Sequence, residues 1–205
     1  MNSEVLKKYR WGNPTSSAPC EEASAESVAG VYPFRLKVLL SSFRQKVSLY
    51  LQLAKIRITF LAGLSTTAGF ILHSREWQWK VLIPSLGIFL LASASSAFNH
   101  LQDRELDAFM ERTRRRPLPA GKLLPHQVLT FAITLFLLGC VTLITGKCLP
   151  ALWLGLLAMG LYNAMYTPLK RKSPFAVIPG SLIGAIPPLA GWMCAGGNPL
   201  APEIL

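Results

Sequence analysis

The sequence predicts an all-α, polytopic bundle of transmembrane helices. Three observations carry that reading. Hydrophobic residues make up 51% of the chain and charged residues only 15%, whereas a soluble domain carries about a quarter charged residues. The apolar residues fall in five long runs, each close to the ~20 residues that a helix needs to cross a bilayer. The basic residues are distributed unevenly between the segments that join those runs.

The first predicted span runs from about Leu51 to Leu72, with Lys55 and Arg57 near its start, placed to snorkel or to face a polar cavity. The second covers about Val81 to Phe98, the third Val128 to Thr145, the fourth Leu149 to Tyr166 and the fifth Phe175 to Cys194. All five are helical because lipid offers the backbone no hydrogen-bond partner. Ala92 to Ala97 on the second span, and Gly180 and Gly184 on the fifth, predict close helix contacts. Pro179, Pro187 and Pro188 predict a kinked or broken fifth helix, either a packing kink or a helix opened beside a cavity.

With the N-terminus on the cytoplasmic side, the inner segments 1–57, 99–127 and 167–174 hold 18 Lys and Arg residues and the outer segments hold three, Arg75, Lys80 and Lys147. That asymmetry predicts an N-inside integral membrane protein, and the expected location is a bacterial inner membrane. It also accounts for the net charge of +11 without a nucleic acid. The four cysteines show neither a metal-ligand spacing nor a disulfide framework. Residues 1–45 lack the apolar core of a signal peptide and read as a mostly disordered cytoplasmic tail, which leaves 46–205 as the membrane domain.

The stretch Asn99–Lys122, NHLQDRELDAFMERTRRRPLPAGK, carries the chemistry. Asn99, Asp103 and Asp107 recur every four residues and share one face if the second helix continues through them. Such a stripe of oxygen donors suits Mg2+, which commonly takes one or two carboxylates together with substrate phosphates. Arg112, Arg114, Arg115, Arg116 and Lys122 follow within one loop. Guanidinium groups pair with phosphate oxygens, although the same residues also serve the charge asymmetry. A solvated acidic face answering nearby arginines is the plainer reading of the Asp103–Asp107 spacing alone.

The Asn-x3-Asp-x3-Asp pattern resembles the first aspartate motif of UbiA-type prenyltransferases. Its continuation through Met110, Arg112, Thr113, Arg116, Pro117 and Leu118 resembles the protoheme IX farnesyltransferase (heme O synthase) branch. A second stretch, Tyr166–Trp192, resembles the same branch in its Tyr-Thr-Pro-Leu-Lys-Arg and Gly-Ala-x-Pro-Pro-Leu-x-Gly-Trp elements. Leu53–Thr59 is similar to the family's entry to its first helix, with Ile56 where a proline is usual. The likeness extends from about residue 50 to the C-terminus.

The resemblance implies a helix-lined cavity that binds a prenyl diphosphate through Mg2+. In this branch the donor is farnesyl diphosphate, the acceptor is a vinyl group of protoheme IX (heme b, as substrate) and the product is heme O. By position, Asn99, Asp103 and Asp107 then form the metal–diphosphate site. Arg112, Arg116, Lys170 and Arg171 are candidate diphosphate contacts, with Lys55 as a further one. Tyr162, Asn163 and Tyr166 are candidates to line the pocket, or sit there as ordinary interfacial residues. His100 is expected to be hydrogen-bonded or solvated, and His73 and His126 to lie in loops. The family has about nine spans and a second aspartate motif; five spans and one motif predict a truncated chain. Another acceptor, or a non-catalytic membrane protein, stays open as an alternative.

Overall fold

The computed structural model describes residues 44–199. The expected tail therefore lies, save for residues 44 and 45, outside the described residues, as does Cys20. Every regular element among the described residues is helical. Helix α1 covers 44–54. It is followed by α2 (Ile56–Ser74), α3 (Leu82–Phe109), α4 (Pro125–Thr145), α5 (Leu149–Leu169) and α6 (Val177–Cys194). Five helices are long and apolar enough to cross a membrane. The chain is thus an integral, multi-pass membrane protein.

The predicted first span differs from the structure at its start. It is broken at Lys55, which adopts a left-handed conformation with φ 48°. A helix end leaves carbonyls without intrahelical partners, and here side chains from elsewhere occupy them. The Ser96 hydroxyl donates to the Leu53 carbonyl at 2.9 Å, and the Thr59 hydroxyl to the Ala54 carbonyl at 3.2 Å. Those anchors fix the break. The turn also sets the ammonium-bearing residue at the junction of α1 and α2 rather than inside a continuous span.

Helix α3 is the centre of the bundle. In its most apolar window 56% of residues are buried, against 17–28% for the other four spans. It packs most extensively on α4, while α2 packs most extensively on α6. Small residues permit the second contact. A Cβ added to Gly69 would overlap the Pro188 carbonyl, and one added to Gly191 would overlap the Thr66 carbonyl. The close approach predicted at Gly180 and Gly184 falls elsewhere: Gly184 has open space where its Cβ would be, and Gly180 meets only the Tyr166 ring at 3.4 Å. The spacing identifies small residues but not the direction in which they point.

Helix α6 contains Pro187 and Pro188 yet is continuous from Val177 to Cys194, so of the two outcomes expected, a kinked or a broken helix, the break does not occur. A proline removes the donor for the carbonyl four residues back. The carbonyls so affected belong to Ile183 and Gly184, and both residues line the central cavity. His73 and His126 are helical, not in loops. His73 lies in the last turn of α2 with its ring 4.8 Å from that of Trp192, and His126 lies in the first turn of α4. Pro125 at the first helical position, with the Gln127 side chain accepting from the Leu124 N–H at 3.1 Å, starts α4 three residues before the apolar run.

Candidate functional site

Helix α3 does continue through the acidic stripe. Asn99, Asp103 and Asp107 lie on its last three turns and are 3%, 6% and 5% exposed. A buried carboxylate needs a counter-charge, and each finds one from a different segment. The Arg116 Nη1 donates to both oxygens of Asp107, at 2.8 and 2.6 Å. Lys170 Nζ donates to Asp103 Oδ2 at 2.6 Å, and Arg171 Nη2 to Asp103 Oδ1 at 2.6 Å.

The local sequence explains how these cations arrive. After α3 the loop turns back on itself, and the Thr113 hydroxyl donates to the Asp107 carbonyl at 3.1 Å. Pro117 is fully buried and Leu118 packs with Leu53, Ala97 and Val128 in one apolar cluster. Arg116, the preceding residue, is thereby held over Asp107. Lys170 and Arg171 come from the end of α5, where the helix widens into a π-helical segment at Leu161–Tyr166. That wide turn stacks Tyr162 on Tyr166 with centroids 5.4 Å apart, and the Thr167 hydroxyl donates to the Tyr162 carbonyl at 2.8 Å. Thr167 in turn accepts from the Asn99 amide at 2.9 Å. Asn163 donates to the Ser95 hydroxyl at 2.8 Å. The end of α5 is therefore fixed to α3 by a buried polar network.

Beside this cluster lies a cavity of about 330 Å3 between α2, α3, α5 and α6, within the size range of small-molecule pockets. Lys55 and Tyr162 stand at its polar end, and Ile88, Leu91, Ile183 and Ile186 are among its apolar walls. Tyr162 joins the two regions, its hydroxyl 3.5 Å from Asn99 Oδ1. Lys55 lies within the fields of Asp103, Asp107, Arg116 and Lys170, and its pKa is lowered, first by burial and then by the two cations.

Residues 58–205 match the UbiA prenyltransferase family. The chain belongs to that family. Among its relatives is the protoheme IX farnesyltransferase of Idiomarina loihiensis, 43% identical over 159 residues, 76% of this chain and 53% of the relative. That of Azotobacter vinelandii is 41% identical over the same shares, and protoheme IX farnesyltransferase 1 of Pseudomonas putida is 38% identical over 83% of this chain and 58% of its own length. The chain spans about half the length of these curated relatives. A solved structure from work on digeranylgeranylglyceryl phosphate synthase in membranes shares the fold. Its TM-score is 0.67 at 20% identity, over 75% of this chain and 54% of that one.

In this UbiA-family bundle most of the residues singled out in the sequence converge. Asn99, Asp103, Asp107, Arg116, Lys170 and Arg171 form the polar cluster, Lys55 faces it, and Tyr166 lies under the Lys170 ammonium at 5.7 Å. Arg112 does not join them; it is exposed and makes no ion pair or hydrogen bond among the described residues. Arg114 pairs instead with Glu111 at 3.4 Å, on the surface. His100 is buried with its Nε2 unpartnered, contrary to the hydrogen-bonded or solvated imidazole expected. Thr167 and Ser95 enter the sequence reading only within the Tyr-Thr-Pro-Leu-Lys-Arg element and the small-residue run, without a bonding role. Their role follows from the π-helical segment, whose wider turn no apolar periodicity reports.

Proposed function

We propose that this chain carries the prenyl-diphosphate half of a protoheme IX farnesyltransferase. The reaction transfers a farnesyl group from farnesyl diphosphate to a vinyl group of protoheme IX, giving heme O. The observation that carries this reading is one juxtaposition: four cations and two buried carboxylates at the mouth of an apolar cavity. The relatives' names support the choice of donor and acceptor.

The donor set fits a magnesium–diphosphate pair. Asp103, Asp107 and the Asn99 amide oxygen are all hard oxygen donors on one helix face. Among the described residues no three His, Cys, Asp or Glu side chains converge as a metal cage, which suits a cation shared with phosphate oxygens rather than one held by protein alone. When bound, Mg2+ would neutralise phosphate charge and so make the diphosphate a better leaving group.

The chain's own residues do the remainder. Arg116, Lys170 and Arg171 exchange their carboxylate partners for phosphate oxygens and stabilise the charge that grows as the allylic C–O bond breaks. Lys55, at the polar end of the cavity, faces the same charge. The apolar walls hold the isoprenoid tail and keep water from the allylic carbon. Tyr162 and Tyr166 stack at the boundary between the polar and apolar regions. The distribution of basic residues supports an orientation with this end of the bundle on the cytoplasmic side of a bacterial inner membrane, where water-soluble diphosphate products would leave.

The test is an acceptor assay with purified protein in lipid vesicles, farnesyl diphosphate and Mg2+. Farnesylated heme, with no product from hydroxylated aromatic acids, is the expected outcome. Prenylation of an aromatic acid instead would overturn the acceptor assignment, and absence of farnesyl diphosphate binding would overturn the reading as a whole.

A further inference from the structure

We propose that the cavity measures the length of the isoprenoid chain, with Ile88 and Ile186 as its floor and Gly184 as the position that leaves room for the end of the tail. The inference rests on the prenyl-diphosphate reading of the site. The polar end of the cavity is fixed at the junction of α1 and α2, because the Ser96 hydroxyl donates to the Leu53 carbonyl. From Ser96 to Ile88, both of which line the cavity, helix α3 runs ~12 Å at about 1.5 Å per residue. An extended farnesyl chain spans ~14 Å and a geranylgeranyl chain ~19 Å, with carbon–carbon bonds of about 1.5 Å. A slightly bent farnesyl tail therefore reaches the floor, and one further isoprene unit has no place to go.

The floor is backed by packed side chains. Ile88 and Ile186 line the cavity and are 4% and 7% exposed. Gly155 closes the gap beside them: a Cβ on it would stand 3.2 Å from Ile88 Cδ1 and 2.6 Å from Leu91 Cδ1. One turn beyond Gly155 and Ile186 come Ala151 and Ala190, both fully buried and packed with Ile88 and Leu143 in one apolar cluster. A longer tail would have to open that cluster, and close-packed interiors resist such insertion. The wall formed by α6 is different. Helices α2 and α6 are in backbone contact where Gly69 meets Pro188 and Gly191 meets Thr66. One turn before Pro188, Gly184 lines the cavity and has no atom within 4 Å of the place its Cβ would take. A side chain at this position occupies the space just above Ile186 without displacing a neighbour. It shortens the cavity and leaves the polar end untouched.

The test is equilibrium binding of geranyl, farnesyl and geranylgeranyl diphosphates to the full chain in lipid nanodiscs with Mg2+, each affinity referred to the free aqueous ligand. The three share one head group, so their differences report the tail. The wild type is expected to bind farnesyl diphosphate more tightly than either neighbour. Gly184→Leu should lose ~10- to 100-fold in affinity for farnesyl diphosphate while keeping that for geranyl diphosphate, since even one methylene in an apolar pocket is worth about that factor. Ile186→Ala deepens the cavity and should gain about tenfold for geranylgeranyl diphosphate; a thermal melt confirms that it is folded. Gly184→Leu disturbs no packed contact, so it carries the test if Ile186→Ala is not folded. Equal affinity of the wild type for farnesyl and geranylgeranyl diphosphates, or a Gly184→Leu variant with the wild-type ratio of geranyl to farnesyl affinities, overturns the length measurement alone. Absence of binding of all three to the wild type overturns the reading of the site, and the length measurement with it.

Discussion

Replacing Asp103 with Asn separates the proposed metal role of the stripe from its structural one. The Asp103 side chain is 9% exposed, and its two partners, Lys170 and Arg171, are 29% and 36% exposed. Removing one member of a fully buried pair costs ~3–5 kcal/mol. Solvent reaches both cations here, which reduces the cost to roughly 1–3 kcal/mol. The variant therefore folds but melts at a lower temperature. Its effect on ligand binding has two opposite parts. Lys170 and Arg171 lose their competing carboxylate, so metal-free binding of farnesyl diphosphate holds or improves. The metal-dependent increment loses a charged ligand worth ~1.5–3 kcal/mol, about 10- to 100-fold in Kd. Equilibrium binding of labelled farnesyl diphosphate, with Mg2+ and with chelator, reads the ratio directly. A wild-type ratio in Asp103→Asn would remove the carboxylate from the metal site and refute the reasoning.

Three further outcomes follow from the geometry. Arg116→Ala strands the buried Asp107 carboxylate, which is 7% exposed, and should cost about 3 kcal/mol of stability in a detergent or vesicle melt; Asp107→Asn combined with it should recover a substantial part. Gly69→Ala and Gly191→Ala force backbone into backbone between α2 and α6 and should each destabilise by ~1–3 kcal/mol, whereas Gly184→Ala, facing open space, should leave the melt unchanged. The lowered Lys55 pKa means that the folded state resists its protonation. That penalty is fully present below the folded pKa and disappears as pH rises through it toward the unfolded value of 10.5. Lys55→Met should therefore be more stable than the parent near neutrality, with the gap closing in alkali, while binding farnesyl diphosphate more weakly.

The spans and the stripe were legible because their signals are local. A run of apolar residues reports a crossing helix, and a period of four reports a shared helix face whether or not lipid surrounds it. The break at Lys55 was not legible, since it depends on hydroxyls of Ser96 and Thr59 reaching the free carbonyls of α1. The choice between Gly184 and Gly191 as the contact glycine likewise rests on which face α6 turns to α2. Arg112 and Arg116 look equivalent in a basic loop. Only the burial of Pro117 and Leu118, and the Thr113 bond to the Asp107 carbonyl, direct Arg116 inward and leave Arg112 in solvent.

The ion pairs have a consequence for the order in which ligands bind. Asp103 and Asp107 are each satisfied by the chain's own cations, with N···O distances of 2.6 Å to the closest partner. A divalent cation arriving alone would have to displace Arg116, Lys170 and Arg171 and leave them unpaired beside an apolar cavity, a cost of several kcal/mol. A diphosphate arriving with it gives those three groups new partners, and the exchange becomes close to neutral in contacts made. On the proposed reading, coupling between the two ligands is built into the site and, by linkage, is reciprocal. Mg2+ titrated alone should bind in the millimolar range or weaker, and a non-hydrolysable farnesyl diphosphate analogue should raise its affinity by the same factor by which Mg2+ raises that of the analogue. Calorimetry with each ligand in the presence and absence of the other measures both factors. Tight binding of Mg2+ alone, with no change on adding the analogue, would show that the carboxylates are not held by these cations in solution.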